Sequence, residues 1–101
     1  MTKIIGGKKY STDTASLVGA DGFGNKRNFK WWREKLYLKI TGEFFLYGEG
    51  GPLSKYRHYY NANEWSGSEE IIPLSNEEAR EWAKEHLKRD TYTKVFEEDN
   101  T

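Results

Sequence analysis

Two runs of β-type residues flank the dipeptide Thr41-Gly42, and their alternation constrains the fold more than any other feature of the sequence. A two-residue loop and a three-residue loop with Gly42 in the left-handed conformation give registers that differ by one residue. Only the three-residue loop, which pairs Lys39 with Glu43, keeps the apolar side chains of both strands on one face. The pattern therefore predicts an antiparallel hairpin over 32–47 in that register.

This register divides the hairpin into an apolar face and a mixed face. The apolar face is expected to lie on the core and comprises Trp32, Leu36, Leu38, Phe44 and Leu46. The mixed face interleaves cations with aromatic rings and comprises Arg33, Lys35, Tyr37, Lys39, Glu43, Phe45 and Tyr47. Such a face is used for binding, is half solvated, or is covered by an N-terminal hairpin, and the sequence leaves these alternatives open.

The other elements complete an α+β fold, a small antiparallel sheet with helices on one face. The pair Gly6-Gly7 predicts a hairpin over 4–10. Two isoleucines predict a strand near 70–73 that is ended by a proline. We expect a single domain over 1–101, since a chain of this length is of ordinary size for one domain.

The clearest helix follows a capping box, in which Ser75 is the N-cap and Glu78 lies three residues further on. The helix is predicted over 76–88 and packs on one face of the sheet. Its inward positions follow helical spacing and are Ala79, Trp82, Ala83, His86 and Leu87. A shorter helix is predicted to restart at Asp90, and the acidic tail 97–101 is expected to fray.

The remaining segments have weaker patterns. A short capped helix is expected over 12–18, and glycines and asparagines then predict a loop over 19–28. The glycine-rich residues 48–51 are expected to break the sheet. Residues 53–60 fit either a short helix or an irregular strand, and residues 61–68 are expected to form a loop.

The formal net charge of zero conceals an asymmetry along the chain. Residues 1–60 hold 11 Lys or Arg and 5 Asp or Glu, whereas residues 61–101 hold 5 and 11. A basic half is typical of nucleic-acid binding, and an acidic half is typical of binding to a basic protein or of imitating nucleic acid. The alternative is that the two halves pack together and offset each other.

The composition excludes several classes of function. The chain has no Cys, which removes disulfides, thiolate metal sites and Cys nucleophiles. It has no 18-residue apolar run and no apolar signal-peptide region, so we expect a cytoplasmic protein without a membrane span. The two histidines lack metal-ligand spacing, and residues 48–51 lack a phosphate-loop pattern, so neither a metal nor another cofactor is expected.

One segment holds side chains suited to acid–base chemistry. His58 is a candidate general base of a metal-free ribonuclease, with Lys55 and Arg57 as the cations that stabilise the transition state. Such a site needs a second acid, from His86 or a glutamate. The simpler interpretation is a wet, partly buried aromatic segment, and the preferred prediction is that the protein is not an enzyme.

Binding residues are better represented than catalytic ones. Nucleic-acid binders combine cations that meet phosphates with rings that stack on unpaired bases. The candidates are Lys8, Lys9, Lys26, Arg27, Arg33, Lys35, Tyr37 and Lys39. On the predicted helix, the solvated carboxylates of Glu77, Glu81 and Glu85 are candidates for contact with a basic protein.

Three blocks of sequence form a specific combination. The first is Ile5-Gly6-Gly7-Lys8-Lys9-Tyr10 with Thr12-Asp13-Thr14-Ala15. The second is Leu36-Tyr37 with Thr41-Gly42-Glu43-Phe44-Phe45-Leu46-Tyr47-Gly48-Glu49-Gly50-Gly51-Pro52-Leu53-Ser54-Lys55-Tyr56, and the third joins 71–75 to 78–83 and 85–87. Together they resemble a family of small proteins carried on phages and other mobile elements of Gram-positive bacteria, whose members include type II-A anti-CRISPR proteins.

The resemblance implies inhibition of the type II RNA-guided effector nuclease in the bacterial host cell. It implies action through the guide RNA or through its assembly with the nuclease, so the expected partners are the nuclease, its guide, or both. It also implicates the hairpin over 4–10 in the members that provoke guide truncation. Two alternatives stay open: a ribonuclease or activator of guide truncation, and a mobile-element accessory domain that binds another host protein.

Overall fold

The computed structural model describes residues 1–61 and 64–96, with the side chains of residues 60 and 61 excepted. The strands are β1 (Thr2–Ile5), β2 (Lys8–Ser11), β3 (Ser16–Phe23), β4 (Trp32–Leu38), β5 (Phe44–Gly50), β6 (His58–Asn61), β7 (Glu64–Ser66) and β8 (Ser68–Leu74), and the helices are α1 (Asn76–His86) and α2 (Arg89–Phe96). The antiparallel sheets with C-terminal helices on one face confirm the predicted α+β fold. Neither of these two helices is long and apolar enough to cross a membrane.

The central sheet has four antiparallel strands in the order β3-β4-β5-β8. Between β4 and β5, the backbone N–H of Lys39 donates to the carbonyl of Glu43 at 2.8 Å, and Leu36 lies opposite Leu46. Gly42 in the turn has a φ of 93°, which a residue with a side chain rarely adopts. The register predicted from the apolar alternation is therefore confirmed.

Helices cover one face of this sheet, which we call the helix face. Its buried residues are Leu36, Phe44, Leu46, Ala79, Ala83 and Tyr92. The capping box is formed as predicted, with the Ser75 hydroxyl accepting from the Glu78 N–H at 3.1 Å and the Glu78 carboxylate accepting from the Ser75 N–H at 2.9 Å. The helix ends at His86 rather than at residue 88, because Leu87 turns to extended backbone and packs on Gly19.

The β1–β2 hairpin covers part of the opposite face, which we call the hairpin face. Its turn uses Gly6 and Gly7 at φ values of 57° and 77°, as the sequence predicted. Tyr10 packs edge-on against the ring of Phe45, with 5.5 Å between ring centroids. The Phe45 side chain is fully buried, so this face of the sheet has a core of its own.

The predictions for residues 12–28 were wrong over the first part of that segment. Residues 16–23 form β3, which pairs with β4 through a register shift after Leu17, rather than a short helix and a loop. The glycines that suggested a loop instead permit close approach. A side chain at Gly19 would collide with Leu87, and one at Gly22 would collide with Arg33.

The glycines at residues 48–51 do not break the sheet where the sequence predicted. Strand β5 continues through Gly50 and pairs with β4 on one side and β8 on the other. A side chain at Gly48 would occupy the space of the Tyr56 ring, which lies directly against the strand. The absence of a side chain therefore serves packing across the sheet.

The segment after β5 has more strand than the sequence predicted. Strands β6 and β7 lie at 58–61 and 64–66 and pair with each other. The prediction of a loop over 61–68 is therefore wrong for the residues of β7 and for the start of β8. Pro73 lies within β8 rather than after it, opposite Phe45. Since β8 is an edge strand, it has a neighbouring strand on one side only, which is the position where a sheet tolerates proline. The predicted frayed tail 97–101 lies outside the described residues.

Candidate functional site

Two of the predicted nucleic-acid-binding cations are engaged within the protein. The ammonium groups of Lys8 and Lys39 lie 2.6 and 3.0 Å from the carboxylate oxygens of Glu43. Hydrogen bonds from Lys8, Lys39 and Thr41 lower the pKa of Glu43 to about 2. Lys39 also lies over the Tyr10 ring, 4.3 Å from its centroid. These two cations therefore hold the β1–β2 hairpin against the central sheet.

Tyr37 does not provide the exposed ring expected of a base-stacking residue. Its ring stacks on Phe45 with 5.2 Å between centroids, and the residue is only 9% exposed. Tyr37 is buried because the β1–β2 hairpin covers this face of the sheet. Cover by an N-terminal hairpin was one of the three alternatives that the sequence left open. Stacking of a nucleic-acid base on Tyr37 is incompatible with this arrangement.

Arg33 positions a loop. Its guanidinium donates to the backbone carbonyls of Phe23 at 3.1 Å and Gly24 at 2.7 Å. It lies 5.8 Å from the centre of the Trp31 ring. In the same loop, the side chains of Asn25 and Asn28 accept hydrogen bonds from backbone N–H groups two residues further on. The loop over 24–31 is thus held in shape by short-range hydrogen bonds.

The other predicted cations are exposed but do not form one patch. Lys26 and Arg27 lie together in the loop over 24–31, and the Lys26 ammonium is 5.8 Å from the Trp31 ring centre. Lys9 lies on β2 and Lys35 in the middle of β4. The structure thus brings Lys26 and Arg33 to Trp31, and brings Lys8 and Lys39 to Glu43, as two separate groups.

The cations of the alternative ribonuclease site have other partners. His58 is exposed at the start of β6. The Lys55 ammonium lies 2.7 Å from the carboxylate of Glu34, and the Arg57 guanidinium lies 4.8 Å from the centre of the Trp65 ring. The two cations that would stabilise a phosphorane-like transition state are therefore held by other groups.

A buried carboxylate that the sequence reasoning missed joins three elements. Glu34 on β4 is 1% exposed. It accepts hydrogen bonds from the Tyr56 hydroxyl and from the Trp82 indole N–H, the latter at 2.9 Å, besides the Lys55 contact. Burial raises the pKa of Glu34, but the hydrogen bonds outweigh burial and hold the pKa below its usual value. The period-two alternation places residue 34 between Trp32 and Leu36 on the inward face, and that signal was available in the sequence.

His86 packs against the helix face, as the sequence predicted. Its ring lies 4.7 Å from the Trp82 ring and 5.8 Å from the Trp32 ring, measured between centroids. Its Nδ1 is 2.7 Å from the carboxylate of Asp21 on β3. The hydrogen bond with His86 lowers the pKa of Asp21. His86 therefore couples the end of α1 to the edge of the sheet.

Helix α1 presents a row of carboxylates to solvent, which we call the acidic row: Glu77, Glu81 and Glu85. Four-residue spacing separates them by about 6 Å along the helix axis. In the described part of the chain, no Lys or Arg nitrogen lies within 4.0 Å of these carboxylates.

The cations of α1 face α2 instead of pairing with the acidic row. The Arg80 guanidinium lies 5.3 Å from the centre of the Phe96 ring. The Lys84 ammonium lies 6.0 Å from the centre of the Tyr92 ring. The helix dipole favours Glu77, which lies in the first turn of α1. Like charges four residues apart destabilise a helix, so intrinsic helix stability does not account for Glu81 and Glu85.

Within residues 1–61 and 64–96, no group of three or more His, Asp or Glu side chains has an arrangement that would hold a metal ion. Comparisons of the chain with protein-family models, with curated proteins and with solved structures found no match.

Proposed function

We propose that this protein inhibits a type II RNA-guided CRISPR nuclease by binding the guide-free enzyme and hindering guide assembly. The resemblance of the three sequence blocks supports the choice of target. The acidic row is the single observation that supports the mode of action. Such nucleases hold their guide–target duplex in a positively charged channel, which recognises the nucleic-acid backbone rather than its sequence.

The charges of the acidic row fit such a channel. Its carboxylates are exposed, regularly spaced on a rigid helix, and have no Lys or Arg within 4.0 Å in the described chain. Within the described chain, the contact of the row with a cationic group is that of Glu85 with the His86 imidazole, 3.8 Å from its Nε2, which is an ion pair only when His86 is protonated. Long-range attraction between a negative row and a positive channel also accelerates association, and salt weakens it.

The distribution of cations favours contact with the nuclease over contact with the guide through the central sheet. Lys8 and Lys39 share Glu43, and Arg33 is bound to loop carbonyls. With Tyr37 buried, four of the eight predicted nucleic-acid-binding residues have structural partners or lack access to solvent. The ribonuclease alternative receives no comparable support, because Lys55 is paired with Glu34 and Arg57 lies against the Trp65 ring.

An order-of-addition assay tests this proposal. Cleavage of a labelled target DNA is followed with the protein added to the nuclease either before or after the guide RNA. We expect inhibition when the protein is added first, and at least about tenfold weaker inhibition when the guide is already loaded, since the loaded guide neutralises the channel. Undiminished cleavage in both orders would contradict the proposal for that nuclease.

A charge-matched pair of variants assigns the effect to the acidic row. The variant Glu77→Gln/Glu81→Gln/Glu85→Gln removes three negative charges from α1. The control Asp13→Asn/Glu64→Gln/Glu70→Gln removes three exposed negative charges elsewhere. We expect the first variant to lose inhibition and the control to retain it. Equal losses would show that only net charge matters.

A further inference from the structure

A groove at one end of the central sheet combines an aromatic wall, a backbone floor and mixed charge. Its volume is about 420 Å³, within the range of small-molecule sites. Trp31 and Lys26 form one wall, Glu49 and Glu69 form the other, and Gly50, Gly51 and Gly67 contribute backbone to the floor. We call this the Trp31 groove. It lies on a different surface from the acidic row and does not depend on the proposed function.

The glycines of the floor allow close packing beside the tryptophan. The N–H of Gly51 donates to the Trp31 carbonyl at 2.9 Å. A side chain at Gly51 would lie 2.7 Å from an atom of the Trp31 indole, so glycine allows the ring to rest against the strand end. A side chain at Gly67 would collide with the Gly50 carbonyl. Glycine at these two positions therefore lets Trp31 and the ends of the neighbouring strands pack closely beneath the groove.

The two carboxylates of the groove offer more acceptor oxygens than the Tyr47 hydroxyl beside them can satisfy with its one proton. The Tyr47 hydroxyl lies 2.9 Å from a Glu49 oxygen and 2.6 Å from a Glu69 oxygen. A phenol has one proton and donates to only one of them at a time. No Lys or Arg nitrogen of the described residues lies within 4.0 Å of either carboxylate. The wall is suited to a planar ligand that offers two adjacent N–H groups.

Cations around the groove determine which planar ligand fits. The adjoining loop has three exposed cations, Lys26, Arg27 and Lys30. Phe29 lies among them in the sequence and is 63% exposed. An arginine side chain also offers paired N–H groups, but a cationic peptide would be repelled by this loop. A base attached to phosphates is attracted by it. Guanine offers adjacent N–H groups on its Watson–Crick edge.

We propose that the Trp31 groove binds an unpaired guanine of a single-stranded nucleic acid. The base stacks on Trp31, its imino and amino N–H groups donate to Glu69 and Glu49, and its flanking phosphates contact Lys26 and Arg27. Aromatic stacking supplies sequence-tolerant affinity, and the carboxylates supply the preference for guanine.

Fluorescence anisotropy with labelled hexanucleotides tests this site without any nuclease, so its failure and the failure of nuclease inhibition are separable. The probes are an oligouridine with one central guanine and the same strand with adenine in its place. At low salt we expect the guanine strand to bind about tenfold more tightly, in line with a good pair of base-edge hydrogen bonds. Binding of neither strand, or equal binding of both, would overturn the proposal.

Variants of the groove separate stacking from base recognition. Trp31→Ala is expected to weaken binding about tenfold or more, and Trp31→Phe to retain most of it. Glu69→Gln is expected to abolish the preference for guanine over adenine, because the amide replaces one acceptor by a donor. Lys26→Gln is expected to weaken binding to both strands. Lys88→Gln, at an exposed position between α1 and α2 that does not line the groove, is expected to leave binding unchanged.

Three results would contradict the site even if the protein binds nucleic acid. The first is wild-type binding by both Trp31→Phe and Trp31→Ala, with circular dichroism showing that both variants fold. That result would show that the base does not stack on Trp31. A guanine preference that survives Glu69→Gln would remove the recognition role. An arginine-rich peptide that displaces the guanine strand and binds with higher affinity would assign the groove to a protein ligand.

Discussion

The two faces of the central sheet are covered in different ways. On the helix face, α1 and α2 bury a core that includes Leu36 and Leu46. On the hairpin face, a two-stranded hairpin buries Phe45 through Tyr10. The hairpin is short and does not reach the opposed pair Glu49 and Glu69, which lies four residues from the Phe45–Pro73 pair along the two strands. Both glutamates therefore remain accessible.

This difference explains where candidate binding surfaces arise. Helical cover hides the sheet itself and moves exposed charge to the outer side of α1, where the acidic row lies. Hairpin cover hides only one end of the sheet and leaves the Trp31 groove at the other end. Each cover therefore stabilises the sheet and determines which of its residues can meet a partner.

The largest expected loss of stability tests whether the residues buried under the β1–β2 hairpin form a true core. Phe45→Ala should lower the free energy of unfolding by about 4 kcal/mol, as for a fully buried aromatic residue. Leu36→Ala on the helix face should cost about 3 kcal/mol. Urea denaturation measures both. A loss below about 1 kcal/mol for Phe45→Ala would show that the hairpin does not close this face.

The next effect tests the polar connection on the helix face. Glu34→Ala leaves the hydroxyl of Tyr56 and the indole N–H of Trp82 without their acceptor in a buried site. We expect a loss of about 3 kcal/mol in the free energy of unfolding, because buried unpaired groups are costly. Glu70→Ala, an exposed glutamate on β8, is the control and should change it by less than about 0.5 kcal/mol. Similar losses in both variants would contradict the role assigned to Glu34.

A smaller effect tests why glycine stands within β5. Gly48→Ala places a methyl group where the Tyr56 ring lies, and overpacking of this kind costs about 2 kcal/mol. In a Tyr56→Ala background the same change should cost much less, because the obstructing ring is gone. Additive losses in the double-mutant cycle would show that Gly48 and Tyr56 are not coupled.

The smallest effect concerns acid stability of the hairpin attachment. The folded pKa of Glu43 is about 2, below its usual value of 4.5, so its ionised form favours folding. That contribution is complete above about pH 4.5 and is lost as the pH falls toward 2. Glu43→Gln should therefore lose less stability than wild type between pH 5 and pH 2.5. Identical acid dependence in urea midpoints would show that the Lys8–Glu43–Lys39 contact contributes nothing.

Sequence reasoning predicted the parts of the fold in which local pattern and burial agree. The hairpin register follows from alternating apolar residues around Gly42, and α1 follows from a capping box and a helical apolar stripe. It failed at β3 and at the end of β5. Gly19, Gly22 and Gly48 were interpreted through their backbone freedom, whereas in the fold they make room for Leu87, Arg33 and Tyr56. Those partners are distant in sequence, so no local pattern contains them.

The candidate sites divide in the same way. The acidic row was predictable, since helical spacing alone places its glutamates on the solvated side. The nucleic-acid-binding candidates between Arg33 and Lys39 were predicted from strand alternation. That pattern gives the face of Lys39 and Tyr37 but not the hairpin that covers this face or the pairing of Lys39 with Glu43. The Trp31 groove depends on three chain segments that meet only in the folded protein.

Direct binding to the nuclease tests the central claim, that the acidic row competes with the guide for the cationic channel. The dissociation constant is measured for guide-free and guide-loaded nuclease, with wild-type protein and with Glu77→Gln/Glu81→Gln/Glu85→Gln. We predict that wild type binds the guide-free form at least about tenfold more tightly, that salt weakens this binding, and that the variant loses it. Equal affinity for the two forms, or full affinity in the variant, would contradict the claim.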